Sequence, residues 1–311
     1  MPEKSYEGLQ SKLMNGEEKV CNSKHEANLN LATREGNFVE DGFTIIRNAI
    51  SPELIRRFQA TVKRTLHTLL ADYKIESSGE LQNEESDLSS VIFKLLKVDS
   101  PFNVLVPVWK QLSSEGIISK LLLEKPIFDL STEILGPDLS HTDDPALTLN
   151  LPGLSNSKEN YLFKAFHQEV WSGSAVTSIQ FWTPLFQSNN LGGIGLIKAS
   201  HLWGHIPHRN RQPTYFPENF SEIKANLEIG DAIIFHTLAV HRSLPIDANG
   251  KPRIALTCSL RNFRTTNHSY EMFKNWKIYA YSDISNIERR LGNHYLSPFR
   301  LLEVDNPKFD K

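Results

Sequence analysis

The sequence predicts an α+β protein, with a mainly helical N-terminal half packed on a β-rich, jelly-roll-like C-terminal half. Three observations carry this. Apolar residues recur at helical spacing from Leu54 to Leu70. From Ala146 onward the apolar runs are short, β-prone and separated by turn residues. No helical stretch interrupts those runs, which argues for a sandwich or jelly roll rather than a doubly wound sheet.

Composition bounds the class. The chain has 311 residues and a formal net charge of -2, so it has no electrostatic footprint for nucleic acid. Met1 to Val20 is polar and lacks the apolar core of a secretory signal, and no run approaches the roughly 20 apolar residues that span a bilayer. Of the two cysteines, Cys258 lies in an apolar run and Cys21 in a polar leader, so disulfide stapling is not expected and a cytoplasmic location is. The expected partner is a small molecule, with neither nucleic acid nor membrane; oligomeric state is not legible.

Taken in order, residues 1–31 read as a flexible polar leader, followed by a single domain over 32–311. Asp41-Gly42 marks a turn before a short β-branched strand ending near Ile46. Ser51-Pro52-Glu53 supplies an N-cap, a proline in the first turn and an acidic start; Leu54, Ile55, Phe58, Val62, Leu66, Leu69 and Leu70 then mark a long amphipathic helix. Residues 76–90 read as a solvated acidic loop. Shorter helices follow over Val91–Val98, Val104–Leu112, Ile117–Leu123 and Ile127–Leu135, the last stopped by Gly136-Pro137, so the helical part spans about 50–137. The β core, about 146–264, has candidate strands at Ala146–Leu151, Leu162–Phe166, Val176–Leu185, Gly193–Ile197, Ala232–His236 and Arg253–Phe263. The aromatic- and Arg-rich tail, 265–311, is expected to be helical again.

The chemistry-bearing stretch is Phe166-His167-Gln168-Glu169. A histidine and a carboxylate two residues apart on an extended segment project from one face. A second histidine returned by the fold would complete two imidazoles and one carboxylate on one side of a metal, with coordination positions left open. Alone, a His-x-Glu pair is better read as a satisfied histidine beside a solvated carboxylate. Its company is a Gly230-Asp231 turn, a β-prone run to His236, then His241 and, beyond a turn, Arg253. An arginine there is suited to hold a carboxylate bidentately.

With these residues in view, the chain resembles the phytanoyl-CoA dioxygenase (PhyH-like) branch of the Fe(II)/2-oxoglutarate-dependent oxygenases over roughly Phe38 to Arg261. The resemblance rests on Phe-x-x-Asp-Gly-Phe-x-x-Ile at Phe38–Ile46, Ile134-Leu135-Gly136-Pro137, His167-Gln168-Glu169, Phe181-Trp182-Thr183-Pro184-Leu185, Lys198-Ala199-Ser200-His201, the Gly230-Asp231 strand with His241, and Arg253. It implies a double-stranded β-helix (jelly-roll, cupin-like) core. It also implies His167, Glu169 and His241 as iron ligands, Arg253 on the distal carboxylate of 2-oxoglutarate, and Ser243 adding a hydrogen bond. Gln168 and Trp182 match positions near the cosubstrate. Fe(II), 2-oxoglutarate and dioxygen would serve an oxidation at C–H, with succinate and carbon dioxide released. The family usually has aspartate where this chain has Glu169. Since the carboxylate is kept, no halide position is opened as in related halogenases, and hydroxylation is preferred.

Other residues keep plainer readings. His236 is the alternative ligand to His241. His201, His205 and His208, with Arg209 and Arg211, suggest a lid over a polar or anionic substrate. Arg261 and Arg264 are candidates for contact with substrate, with surface arginines the plainer reading, and Trp171 reads as packing. Two other classes fit the residues: a non-catalytic jelly-roll binding protein, and a cupin-like metal isomerase or hydrolase.

Overall fold

The computed structural model describes residues 32–76, 88–142, 146–153, 165–186, 193–264 and 276–278. The leader 1–31, most of the acidic loop, most of the candidate strand Leu162–Phe166 and nearly all of the tail lie outside them.

A short strand β1 (Thr33–Glu35) precedes the expected Asp-Gly turn. That turn closes a single helical turn, α1 (Phe38–Asp41), whose N-terminal amides from Val39 and Glu40 donate to Asn37 Oδ1 at 2.9 and 3.3 Å. Gly42 then turns the chain at φ 84, a left-handed conformation that glycine adopts without a Cβ clash. β2 (Phe43–Arg47) follows directly.

The long helix is α2 (Pro52–Asp72), buried through Leu54, Phe58, Val62, Leu66, Leu69 and Leu70. Ser51 caps it in position only. Its hydroxyl donates instead to Glu124 Oε1 at 2.5 Å, and its amide to the same oxygen at 3.2 Å, tying the start of α2 to a later helix. α3 (Ser89–Leu96), α4 (Pro101–Ser114), α5 (Ile117–Leu122) and α6 (Lys125–Leu135) complete the helical layer. The Ser100 hydroxyl accepts from Asn103 N at 3.3 Å at the head of α4.

The remaining strands are β3 (Leu139–Thr142), β4 (Ala146–Asn150), β5 (Ser178–Phe186), β6 (Ile194–Ile197), β7 (His208–Arg209), β8 (Gln212–Pro213), β9 (Glu222–Ala225), β10 (Ala232–His236), β11 (His241–Ser243), β12 (Arg253–Asn262) and β13 (Trp276–Ile278). An eight-stranded sheet runs β1-β2-β10-β5-β12-β3-β13, with β4 also on β12. A three-stranded sheet runs β11-β6-β9, and β7-β8 form a small ribbon. Every pairing is antiparallel. β13 corrects the expectation of a helical tail at its three described residues: they pair with β3 from Thr142 to Ser140. Their β-prone Trp and Ile fit a strand.

The eight-stranded sheet is buried on both faces. Ile46, Ile179, Phe181, Ile234, Ile254, Leu256 and Leu260 pack with the helices in one large core. Phe43, Ile45, Trp182, Ile233, Phe235 and Ala255 face the three-stranded sheet, packing with Ile194, Leu196 and Ala225. At about 1.5–3 kcal/mol per fully buried large apolar side chain, both layers contribute to holding the sheet between them.

Candidate metal centre

His167 and His241 meet through the backbone. His167 N donates to His241 O at 2.9 Å and His241 N donates to His167 O at 3.0 Å, an isolated antiparallel bridge. Their rings are 4.1 Å apart, centroid to centroid. The extended segment ends at Gln168 (φ -111, ψ 143), and Glu169 begins a 3-10 turn, Glu169–Ser172. Its amide donates to Thr237 O at 3.0 Å, which sets the carboxylate against the loop between β10 and β11.

Each imidazole is oriented from behind. His167 Nδ1 lies 2.8 Å from Ala165 O, and His241 Nδ1 lies 3.0 Å from Ala239 O. A carbonyl can only accept, so Nδ1 carries the proton and Nε2 presents its lone pair. Both Nε2 atoms point to Glu169 Oε1, His241 at 3.2 Å and His167 at 3.4 Å. The three ligand-type atoms lie within 4.8 Å of one another, the one such group among the described residues. All three residues are buried, at 6, 8 and 4 % exposure for His167, Glu169 and His241. Two imidazole lone pairs and one hard carboxylate on one side of a point, the rest open, are a donor set that fits Fe(II).

The cavity in front of this group is also lined by Thr148, Trp182, Phe235, Ser243, Thr257 and Arg253. Arg253 is 3 % exposed; its Nη1 donates to Gly193 O at 3.3 Å, and its guanidinium carbon sits 5.0 Å from the Trp182 ring centre. Burial pushes the guanidinium pKa down to about 9, so it stays charged at neutral pH. A buried cation in the metal cavity fits the far carboxylate of 2-oxoglutarate. Gly193, whose carbonyl accepts from Arg253, lies close against β9: a Cβ there would lie 2.3 Å from Ala225 O.

The structure brings His167, Glu169, His241, Arg253, Ser243 and Trp182 to one cavity and sets Gln168 apart from its lining. The Gln168 amide is fully buried and engaged with backbone: Nε2 donates to Gly204 O (2.8 Å) and Leu238 O (2.7 Å), and Oε1 accepts from Ile206 N (2.9 Å). Alternation explains this, since the residue between two inward neighbours points the other way.

His236 stands apart from the ligand group. Its Nδ1 accepts from Leu238 N at 3.0 Å, its ring packs near Phe38 and His201, and burial lowers its pKa to about 4. His201 bonds to Val39 O at 2.9 Å, while Lys198 pairs with Asp41 at 3.0 Å, so two of the quoted stretches meet each other rather than the cavity. His208 stacks on Trp171 at 4.7 Å, with His205 beside it, also away from the cavity lining. Arg261, expected at the surface, is only 3 % exposed. Thr148 and Thr257 line the cavity and were not among the expected site residues.

Comparison with solved structures shows similar folds at low identity. A structure described as "non-heme monooxygenase; ThoJ apo" is 18% identical, covers 79% of this chain and 83% of its own, and superposes with a TM-score of 0.53, a likeness of fold. The epimerase SnoN in complex with Fe3+, alpha ketoglutarate and nogalamycin RO is 14% identical over 72% of this chain and 80% of its own, with a TM-score of 0.45. AviO1 from Streptomyces viridochromogenes Tue57 is 16% identical over 74% and 93%, with a TM-score of 0.43. The sequence itself matches the family described as phytanoyl-CoA dioxygenase (PhyH) over residues 38–255. With seven-tenths of its length so matched, the chain belongs to the phytanoyl-CoA dioxygenase family and is a 2-oxoglutarate-dependent non-haem iron oxygenase.

Proposed function

We propose that this enzyme oxidises a C–H bond of a small polar metabolite or biosynthetic intermediate, by hydroxylation, with release of succinate and carbon dioxide. The observation that carries the reading is the convergence of three ligand-type atoms within 4.8 Å in a buried cavity that also holds Arg253. His167 and His241 would hold the iron through Nε2, and Glu169 through its carboxylate. The metal supplies the coupling of dioxygen reduction to oxidative decarboxylation of 2-oxoglutarate, one oxygen atom ending in succinate and the other in the product.

The remaining roles belong to the chain's own groups. Arg253 pairs with the distal carboxylate of 2-oxoglutarate, Ser243 adds a hydrogen bond from the same wall, and Trp182 flanks the guanidinium. Gln168 acts from behind, holding the segments at Gly204 and Leu238 against the ligand strand. The apolar layer around Phe235 and Ile194 keeps bulk water from the reacting centre. Glu169 retains an anionic ligand, which favours hydroxylation over halogenation. We read the two facing sheets as a double-stranded β-helix within a single domain over 32–311, supported by the division of the chain at Leu31 and Ala32. A cytoplasmic setting is part of the reading: Cys258 is buried and unbridged, and no helix among the described residues is long and apolar enough to cross a membrane.

Anaerobic titration with Fe(II) and 2-oxoglutarate tests this. A weak visible charge-transfer band is expected, and a flat spectrum with metal loaded would overturn it. Succinate release across a panel of candidate substrates separates an oxygenase from a non-catalytic binding protein. An Arg253→Ala variant of undiminished activity would instead indicate a metal isomerase or hydrolase.

A further inference from the structure

The residue beside each ligand histidine meets its counterpart on the far side of the sheet from the metal. β11 borders the cavity along its length, but its side chains alternate. His241 stands opposite Leu196 of the inner apolar layer, whereas Arg242 stands opposite Gly195 and turns outward. Phe166 precedes one ligand and Arg242 follows the other, so the antiparallel bridge between His167 and His241 sets these two residues across from each other. Directly opposed residues share a face. The Arg242 guanidinium carbon lies 4.8 Å from the centre of the Phe166 ring.

The guanidinium is itself fixed. Arg242 Nε donates to Glu222 Oε1 at 2.6 Å and Nη2 donates to Glu222 Oε2 at 2.8 Å, a two-pronged pair between β11 and β9. The two side chains are 30 and 18 % exposed, so water screens the pair only in part. β6 runs between those strands, and Gly195 leaves room for the pair to cross it. A Cβ there would lie 2.3 Å from Glu222 Oε1 and 3.4 Å from Arg242 Cγ. Around the Phe166 ring, Phe216 and Phe220 close in at 5.4 and 6.2 Å between centroids.

The segment that carries His167 pairs with β11 through an isolated bridge rather than a ladder, so side chains flanking the bridge set its angle. Phe166 is the critical one. The Ala165 carbonyl that orients His167 Nδ1, at 2.8 Å, belongs to the peptide joining Ala165 to Phe166. A guanidinium held at two nitrogens presents its flat face in one orientation, and an aromatic ring packs against that face. We propose that Glu222, Arg242 and Phe166 are positioning residues for the metal. The carboxylate fixes the guanidinium, the guanidinium fixes the ring, and the ring holds the peptide that aims His167 at the ion shared with His241. The proposal rests on the reading of His167 and His241 as ligands.

The test titrates the metal-free full chain with Co(II), whose visible bands report its coordination. Phe166→Leu and Arg242→Met are each expected to weaken Co(II) binding about tenfold or more, the range for groups that orient a metal-bound histidine. Phe166→Tyr, which keeps the ring, stays within threefold of native. The double variant Phe166→Leu/Arg242→Met stays within threefold of the weaker single variant, since losing either partner ends the contact; independent effects would multiply to about a hundredfold. Gly195→Ala keeps all three side chains but drives the Glu222 carboxylate from its place, and should weaken Co(II) at least threefold. Thermal unfolding without metal qualifies each variant, and any of Phe166→Leu, Arg242→Met and Gly195→Ala that folds decides the question. A qualified variant that loses thermal stability yet binds Co(II) as the native protein does overturns the proposal, as do single effects that multiply in the double variant. A native protein with no saturable Co(II) binding removes the metal centre and this proposal together, whereas native binding with unmoved variants removes this proposal alone.

Discussion

His167 and His241 are joined at the backbone by two reciprocal hydrogen bonds of 2.9 and 3.0 Å, and each ring is held at Nδ1 by a carbonyl two residues back. The ligand geometry is therefore built by strand pairing, before any metal arrives. Removing metal with a chelator is expected to leave the far-ultraviolet circular dichroism unchanged. Returning Fe(II) at a hundredfold excess over its Kd should raise stability by about 2.7 kcal/mol, read as a higher Tm. In His241→Ala the metal-dependent rise disappears; a rise equal to that of the native protein would place the metal elsewhere.

Arg253→Lys is expected to raise the 2-oxoglutarate requirement thirtyfold or more, in line with the roughly 2–5 kcal/mol lost when a buried charged pair loses its partner. Lysine keeps a charge but not the planar fork that rests over Trp182 and reaches Gly193 O. Succinate formation against 2-oxoglutarate concentration measures it. A Kd within threefold of native would remove Arg253 from the cosubstrate site.

Gln168→Ala should act on stability. The substitution strands two carbonyls and one amide that the buried side chain now satisfies, at a cost of roughly 3 kcal/mol or more. Urea unfolding reads the loss. The Fe(II)/2-oxoglutarate band should persist in the folded fraction, which a direct cosubstrate contact would not allow.

Acid should weaken the fold through His236. Burial lowers its pKa from 6.5 to about 4, with His201 adding to the shift, so the unfolded chain binds the extra proton first. The stability its neutral form contributes is complete above pH 6.5 and is lost as pH falls from there to about 4. In His236→Gln, which keeps an acceptor for Leu238 N, urea midpoints at pH 5 and 7 should draw closer together. An unchanged gap would assign the acid sensitivity to other groups.

Much of this was legible because the signals are local. Helical spacing marked α2, and Gly136 ended α6 as its position suggested. His167, Glu169, His241 and Arg253 were recognisable by residue type and by the turns that separate them. What escaped depends on pairing. β3, β9 and β11 are three or four residues long and owe their conformation to partners, not to their own pattern. Arg261 was misjudged because the polar side of β12, with Arg253, Thr257, Ser259 and Arg261, has the pattern of a solvent-facing side, whereas the strand is buried on both faces. Parity was the available clue, since Arg253 and Arg261 are separated by an even number of residues and so share a face. Gln168 shows the same rule in reverse: flanked by two inward residues, it had to point away.

β12 holds β5 along one edge and β4 then β3 along the other, and it is the last long strand of the described chain. On the ribosome, three earlier strands emerge before their common partner exists, each with unsatisfied amides and carbonyls along a side meant to be central. A nascent chain halted before Arg253 is thus a set of open templates for association with its neighbours. The arrival of β12, rather than growth up to it, is the event that joins these strands into one sheet.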